Sequence, residues 1–119
     1  MSDNSGEVRI LLDEEEYTLR PSLDAIRKIE SRGLKLMSLL NMIHEVRHGL
    51  TELALVVWAG VNAHGDKKIS IQQAEELVFK TGFADQQMIG QLVVFISNMV
   101  SGGKKAPTPE ASDTETPTR

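Results

Sequence analysis

The residues best suited to chemistry in this sequence are two histidines and a glutamate within five consecutive positions. His44-Glu45-Val46-Arg47-His48 matches the pattern H-E-x-x-H. On a helix, histidines four residues apart share one face and can bind a single zinc ion, with the glutamate beside them as a general base. This arrangement is typical of zinc hydrolases, and a small zinc-dependent hydrolase is therefore one functional hypothesis.

The surrounding sequence argues against that hypothesis. A catalytic zinc site needs three protein ligands and one open position, and Glu75 and Glu76 are the only candidates for the third. Arg47 also places a charge where zinc peptidases of this class usually have an uncharged residue. The alternative interpretation turns Val46 toward the core and leaves the polar residues in solvent near the end of a helix. We therefore expect no catalytic residue, no metal and no cofactor.

Two further segments have the outline of ligand-binding motifs but lack the necessary residues. Residues 62–73 align with a calcium-binding EF-hand loop, yet Lys67 replaces the turn glycine and Gln73 replaces the bidentate glutamate. Residues 71–94 have a helix–glycine–helix outline, but the second helix has no arginine or lysine with which to contact DNA. We interpret both segments as connections between core helices.

The composition excludes several classes of protein. The chain has 119 residues, enough for one domain, and its net charge of −4 without a basic stripe argues against nucleic-acid binding. The absence of cysteine excludes disulfides and thiolate metal sites. No apolar run approaches the roughly 20 residues that span a bilayer, and the first residues are too polar for a signal peptide. We therefore expect a cytoplasmic protein without a nucleic-acid or membrane partner.

Alternating apolar residues near the N-terminus predict a β-hairpin. They lie on both sides of an acidic run at residues 13–16, which is expected to be a solvated turn: Val8, Ile10 and Leu12 before it, Tyr17 and Leu19 after it. Because a lone hairpin is marginal in water, this one should pack on helices.

Apolar residues at three- and four-residue steps predict five helices after the hairpin. The expected N-caps are hydroxyl residues, at Ser22, Ser38, Thr51 and Ser70. The expected stops are glycines, at Gly33, Gly49 and Gly82. Leu23, Ile26 and Ile29 should form the inner face of the first helix, and the second should lie within residues 34–48. The third is apolar nearly all round, so it should be the most buried, with Gly60 packed closely against a neighbour.

These elements predict an α+β domain in which the hairpin packs on about five short helices. After Ser101 the composition shifts, and no large apolar residue follows up to Arg119. Such a segment cannot bury enough surface to offset its ordering entropy. We therefore predict a flexible N-terminus at residues 1–6, a domain at residues 7–101 and a disordered polar tail at residues 102–119.

The last helix, expected from about residue 84 to residue 100, is apolar over most of its circumference. One hypothesis is that part of this surface binds a partner or a second copy of the chain. The side chains proposed for that contact are Leu92, Phe95, Ile96 and Met99. The alternative is that the same face closes the core.

The order of features resembles the tail assembly chaperone family of tailed phages and gene transfer agents. The opening hairpin is followed by Tyr17-Thr18-Leu19-Arg20-Pro21-Ser22-Leu23, then by Ala25-Ile26 and Ile29-Glu30, with Gly33 shortly after. The Trp58-Ala59-Gly60 helix, the His64-Gly65 turn and the helix from Ser70 to Gly82 are also similar. The resemblance covers residues 7–103, and the H-E-x-x-H pattern is no part of it.

The resemblance implies a non-enzymatic function in virion morphogenesis. Proteins of that family bind the hydrophobic tape-measure protein, keep it soluble and help recruit tail tube subunits. They act in the bacterial host cytoplasm during particle assembly, use no cofactor and are generally absent from the finished particle. The alternatives are the zinc hydrolase described above, through His44, Glu45 and His48, and a generic virion or adaptor subunit.

Overall fold

A β-hairpin and five helices make up the described part of the chain, which in this computed structural model is residues 6–104. The strands are β1 (Val8–Leu12) and β2 (Glu15–Leu19). The helices are α1 (Leu23–Glu30), α2 (Leu36–His44), α3 (Leu50–His64), α4 (Ile71–Thr81) and α5 (Gln86–Val100). The predicted α+β architecture is confirmed. Residues 1–5 of the predicted N-terminal segment and residues 105–119 of the predicted tail lie outside the described residues.

The hairpin turn is shorter than the acidic run from which it was predicted. Leu12 pairs with Glu15, so Asp13 and Glu14 alone form the turn, while Glu15 and Glu16 belong to β2. Both turn residues have positive φ, 52° and 70°, as in a type I′ turn that matches the twist of the strands. The turn is attached to the end of α4, where the Asp13 N–H donates to Thr81 Oγ1 at 2.9 Å.

Two of the predicted helix starts are confirmed, and each has the expected cap. The Ser22 hydroxyl accepts from Ala25 N at 3.2 Å at the start of α1. At the start of α4, Ser70 and Gln73 form a capping box: the Gln73 N–H donates to Ser70 Oγ at 3.1 Å, and the Ser70 N–H donates to Gln73 Oε1 at 2.8 Å. Gly82 ends α4, as predicted, with a left-handed φ of 96°.

The predicted caps of α2 and α3 were wrong. Ser38 lies inside α2, which starts after Lys35 because Leu36 and Leu39 are both buried in its first turn. Thr51 lies inside α3, which starts after Gly49. The Glu52 carboxylate accepts from Gly49 N at 2.7 Å, so the first turn is capped from within the helix.

The inner face of α1 also differs from the prediction. Its buried residues are Ala25 and Ile29, one turn apart, with Ile26 half-buried beside them. Leu23 lies on the opposite side of the helix and is 60% exposed. The first helix therefore contributes less apolar surface to the core than its sequence indicates.

Helix α3 is the centre of the core, as predicted, and contacts α1, α4, α5 and β2. Its closest contact is at Gly60, where an added Cβ would lie 2.8 Å from Leu19 Cβ and 2.8 Å from Phe95 Cζ. The Gly60 carbonyl accepts the N–H of Arg20 at 3.1 Å. The absence of a side chain at Gly60 therefore lets the end of β2 contact the backbone of α3 directly.

The two limits of the described chain lie side by side. Asn98 is buried in α5. Its side-chain Nδ2 donates to the Gly6 carbonyl at 2.8 Å, and its backbone carbonyl accepts from the Gly103 N–H at 2.9 Å. A Cβ on Gly6 would lie 2.7 Å from Gly103 O, and a Cβ on Gly103 would lie 2.7 Å from Pro21 O. Both glycines have positive φ. They therefore form a close backbone contact next to the start of α1.

The contact at Gly60 gives a prediction with a matched control. Gly60→Ala should destabilise the domain by about 1–3 kcal/mol, because the new methyl group has no space between Leu19 and Phe95. Gly90→Ala adds the same group to α5 with no atom within 4 Å, and it should gain about 0.5–1 kcal/mol from helix propensity. Urea unfolding followed by circular dichroism measures both. Equal effects of the two substitutions would contradict the close contact.

Candidate functional site

The H-E-x-x-H residues do not lie on one helix, as the zinc hypothesis required. Helix α2 ends at His44, and Val46 has a left-handed φ of 56° that turns the chain before His48. Glu45 forms an ion pair with Arg47 at 2.7 Å. Among residues 6–104, no group of three or more histidine, aspartate or glutamate side chains could hold a metal ion. The two imidazoles therefore do not lie one helical turn apart on a common face.

The turn after α2 is a Schellman motif with valine at the position that usually holds glycine. Val46 N donates to Ile43 O at 3.1 Å, and Arg47 N donates to Met42 O at 2.8 Å. The prediction that Val46 faces the core was wrong, because the left-handed turn directs its side chain outward, where it is 78% exposed. A β-branched residue in this conformation is strained by about 1–2 kcal/mol.

Replacing Val46 tests this strain. Val46→Gly should stabilise the domain by about 0.5–1 kcal/mol, the relief of strain less the extra backbone entropy of glycine in the unfolded chain. Val46→Ala keeps a side chain at positive φ and should stay within about 0.5 kcal/mol of the wild type. Thermal unfolding of the three proteins measures the difference. Destabilisation by Val46→Gly would mean that the valine side chain makes packing contacts.

The four residues proposed for partner binding on the last helix lie in the core. Leu92, Phe95, Ile96 and Met99 are at most 2% exposed, since α5 packs against β1, α2 and α3. The face is therefore occupied within this chain, which is the alternative that the sequence left open. A partner reaches these side chains only if α5 moves away from its neighbours.

Other large apolar side chains, which the sequence analysis did not propose for partner binding, are exposed. They are distributed over the hairpin, the helices and the turns between them: Leu11, Leu23, Met37, Val46, Phe79, Phe83, Val94 and Val100. A signal for Leu11 was present, because strand alternation places it with Arg9 on the outer side of β1. For Val46 and Leu23, the helical pattern predicted burial in the core, whereas both side chains are exposed. Within residues 6–104, these side chains, and not the α5 face, are the large apolar groups exposed to solvent.

A polar cluster joins the hairpin to the loop between α3 and α4. Lys67 Nζ donates to Glu15 Oε2 at 2.9 Å and to the Glu16 carbonyl at 2.8 Å, and it lies 4.3 Å from the centre of the Tyr17 ring. The hydrogen bond and the charge of Lys67 lower the pKa of Glu15. Burial, followed by the charge of Glu15, raises the pKa of Tyr17. Glu16, Tyr17, His64 and Lys67 help to line a cleft of about 120 Å³.

The segment that aligns with a calcium loop serves to position Lys67. Asn62 closes this loop with two hydrogen bonds to Ile69: its Nδ2 donates to the Ile69 carbonyl at 2.9 Å, and its Oδ1 accepts from the Ile69 N–H at 3.0 Å. The Asn62 side-chain oxygen, which the EF-hand alignment placed at a ligand position, is thereby engaged by the backbone. The loop therefore connects α3 to α4 and, through Lys67, also binds the hairpin.

The Lys67 contact predicts a dependence of stability on pH. Because folding lowers the pKa of Glu15 from its ordinary value of 4.5, the ion pair stabilises the fold above that pH and loses its effect as pH falls through the folded-state pKa. Glu15→Gln should therefore be less stable than the wild type at neutral pH, and the difference should disappear in acid. Lys67→Met should lose the same pH-dependent contribution, but it also removes the hydrogen bond to the Glu16 carbonyl, so part of its difference should remain in acid. Unfolding titrations from about pH 7 to pH 3 measure the two differences, and a difference that is independent of pH would contradict the ion pair.

Comparison with known proteins identifies a family. A family model described as "Phage tail tube protein, GTA-gp10" matches residues 5–90, from before the hairpin to the first part of α5. No curated protein and no solved structure matches the chain significantly. Among the described residues, no helix is both long enough and apolar enough to cross a membrane.

Proposed function

Because the chain belongs to the phage tail tube protein, GTA-gp10 family, we propose that it is a non-enzymatic assembly protein of phage-type tails. The family supports a structural or assembly role in the tail. Within that role we propose a chaperone that binds the tape-measure protein and assists tail tube assembly in the host cytoplasm. The observation that carries the proposal is the family match over most of the folded domain.

The exposed apolar side chains support the proposed chaperone role. A chaperone for a long hydrophobic protein has to offer apolar groups that its own fold does not use. Met37 and Val46 are such groups, one near the start of α2 and one just after its end, and both are more than half exposed. Strain at an exposed residue is a reason to look for a function there, which favours the turn at Val46 as part of the client contact.

A structural subunit of the tail tube is the second candidate, and the description of the matching family favours it. The two roles differ in where the protein is found after assembly. A chaperone leaves the finished particle, whereas a tube subunit stays in it in many copies. Quantitative mass spectrometry of purified particles therefore separates the two roles.

The chaperone role predicts that the tape-measure protein stays soluble when it is co-expressed with this chain and aggregates without it. Met37→Asp and Val46→Asp should each reduce the soluble fraction, because a charge replaces an apolar contact group. Asn41→Asp adds the same charge at an exposed polar position of α2 and should leave the soluble fraction unchanged. The measurement is the ratio of soluble to pelleted tape-measure protein. Aggregation in the presence of the wild-type chain would contradict the chaperone role.

A further inference from the structure

The basic residues of the chain are concentrated around its first helix. Five of the 13 lysines and arginines lie between residues 20 and 35, with two acidic residues among them. We call this surface the basic face, and its members are Arg20, Arg27, Lys28, Arg32 and Lys35. The exposed side chain of Leu23 lies at its start.

Contacts with Trp58 fix the position of part of the basic face. Lys28 Nζ lies 5.6 Å and Arg32 Cζ lies 5.1 Å from the centre of the Trp58 ring, so both cations are held where α1 and its following turn meet α3. Within the described residues, neither Arg27 nor Lys35 takes part in an ion pair. Arg20 pairs with Glu7, and Lys28 pairs with Asp24. The other cations of the face have no carboxylate partner within residues 6–104, so the face carries positive charge that the described residues do not neutralise.

The turn of the hairpin carries the opposite charge. Asp13, Glu14 and Glu16 form what we call the acidic tip, and none of their carboxylates has an ion-pair partner in residues 6–104. Next to the tip, Leu11, Lys80 and Asp85 help to line a groove of about 250 Å³ between the hairpin and helices α4 and α5. Leu11 is 58% exposed, so the tip combines unpaired negative charge with an apolar group.

The backbone conformation of the tip is less favourable for its acidic residues than it would be for glycine. A type I′ turn favours Asn-Gly or Asp-Gly, because both central residues have positive φ. This chain has Asp13 and Glu14 there, at 52° and 70°. Glutamate at the second position has a strained backbone where glycine would be relaxed. It also adds a carboxylate that forms no ion pair with any described residue of the same chain.

The two charged surfaces lie at opposite ends of strand β2. The strand begins at Glu15, next to the turn, and ends at Leu19, and Arg20 follows directly. Five residues in an extended strand span about 17 Å. The acidic tip therefore does not reach the basic face of its own chain, but it can reach that of another.

We propose that the acidic tip of one copy docks on the basic face of a second copy, so that the chain associates head to tail. The two surfaces match in charge, and each carries one exposed leucine, Leu11 on the tip and Leu23 on the face. Because the contact joins two different surfaces, it is heterologous, and repetition leads to a ring or an open filament and not to a closed twofold dimer. The proposal is independent of whether the client is a tape-measure protein.

The association should be weak and sensitive to salt. Exposed ion pairs are individually weak, and charges more than about 10 Å apart are screened at 0.1 M salt. Larger species should therefore form as the protein is concentrated in a low-salt buffer and dissociate as salt is added. Sedimentation velocity of the full chain measures both dependences.

Charge reversal on each surface provides the decisive experiment. The tip variant is Glu14→Lys with Glu16→Lys, and the face variant is Arg27→Glu with Lys35→Glu. All four side chains lie on the surface, and none has an ion pair within the described part of the chain. Both variants should therefore fold, which circular dichroism and thermal unfolding verify. Each variant alone presents two surfaces of like charge and should be monomeric at low salt.

Mixing the two variants should restore association, because the basic tip of one then meets the acidic α1 surface of the other, and the unreversed surfaces also match. Glu76→Lys reverses the charge of an exposed α4 residue outside the tip, which has no ion pair within the described residues, and it should associate like the wild type. Glu14→Gly should weaken association while leaving the fold at least as stable as the wild type. A wild-type chain that is monomeric at every concentration, variants that associate unchanged, or a mixture that stays monomeric would each overturn the proposal.

Discussion

The fold depends on one close contact, in which the end of β2 and the ring of Phe95 meet the bare backbone of α3 at Gly60. The contact leaves no space for a methyl group, since an added Cβ would lie 2.8 Å from atoms of both neighbours. It also fixes direction, because the N–H of Arg20 is bound to the Gly60 carbonyl. The hairpin, the central helix and the last helix therefore form one unit, and the chain enters α1 from a defined point.

Much of this arrangement could be predicted from local patterns. The alternation in the hairpin, the serine caps at Ser22 and Ser70 and the close approach at Gly60 each depend on neighbouring residues or on one helix face, and each was confirmed. Features set by distant residues could not be predicted. Lys67 and Glu15 are 52 positions apart, and no periodicity in the sequence relates them.

Two of the sequence interpretations, the burial of Val46 and the zinc-site spacing, fail for one physical reason, which is the turn at Val46. A left-handed turn ended α2 before the apolar pattern did, and valine carries none of the usual sequence signal for such a turn. That turn separates His44 from His48, so the spacing that indicated a zinc site no longer corresponds to one turn of helix. It also exposes an apolar side chain that the pattern had placed inside. The same turn thus removes the geometric basis of one function and supplies a candidate group for another.

The packing of the core determines which apolar side chains stay exposed on the surface. The strongly apolar face of α5 is used to close the domain, so the apolar side chains left exposed lie at its edges, among them the hairpin turn, the outer side of α1 and the turn after α2. These edges carry exposed apolar groups and segregated charge. Such surfaces suit contact with other polypeptides, in keeping with a family of tail proteins. Complementation of a particle whose gene for this chain is deleted tests that account most directly, with tails counted by electron microscopy. No normal tails should form after deletion, and a His44→Gln, Glu45→Gln double variant should restore them fully, whereas a stable double variant that fails to restore tails would contradict a non-enzymatic role.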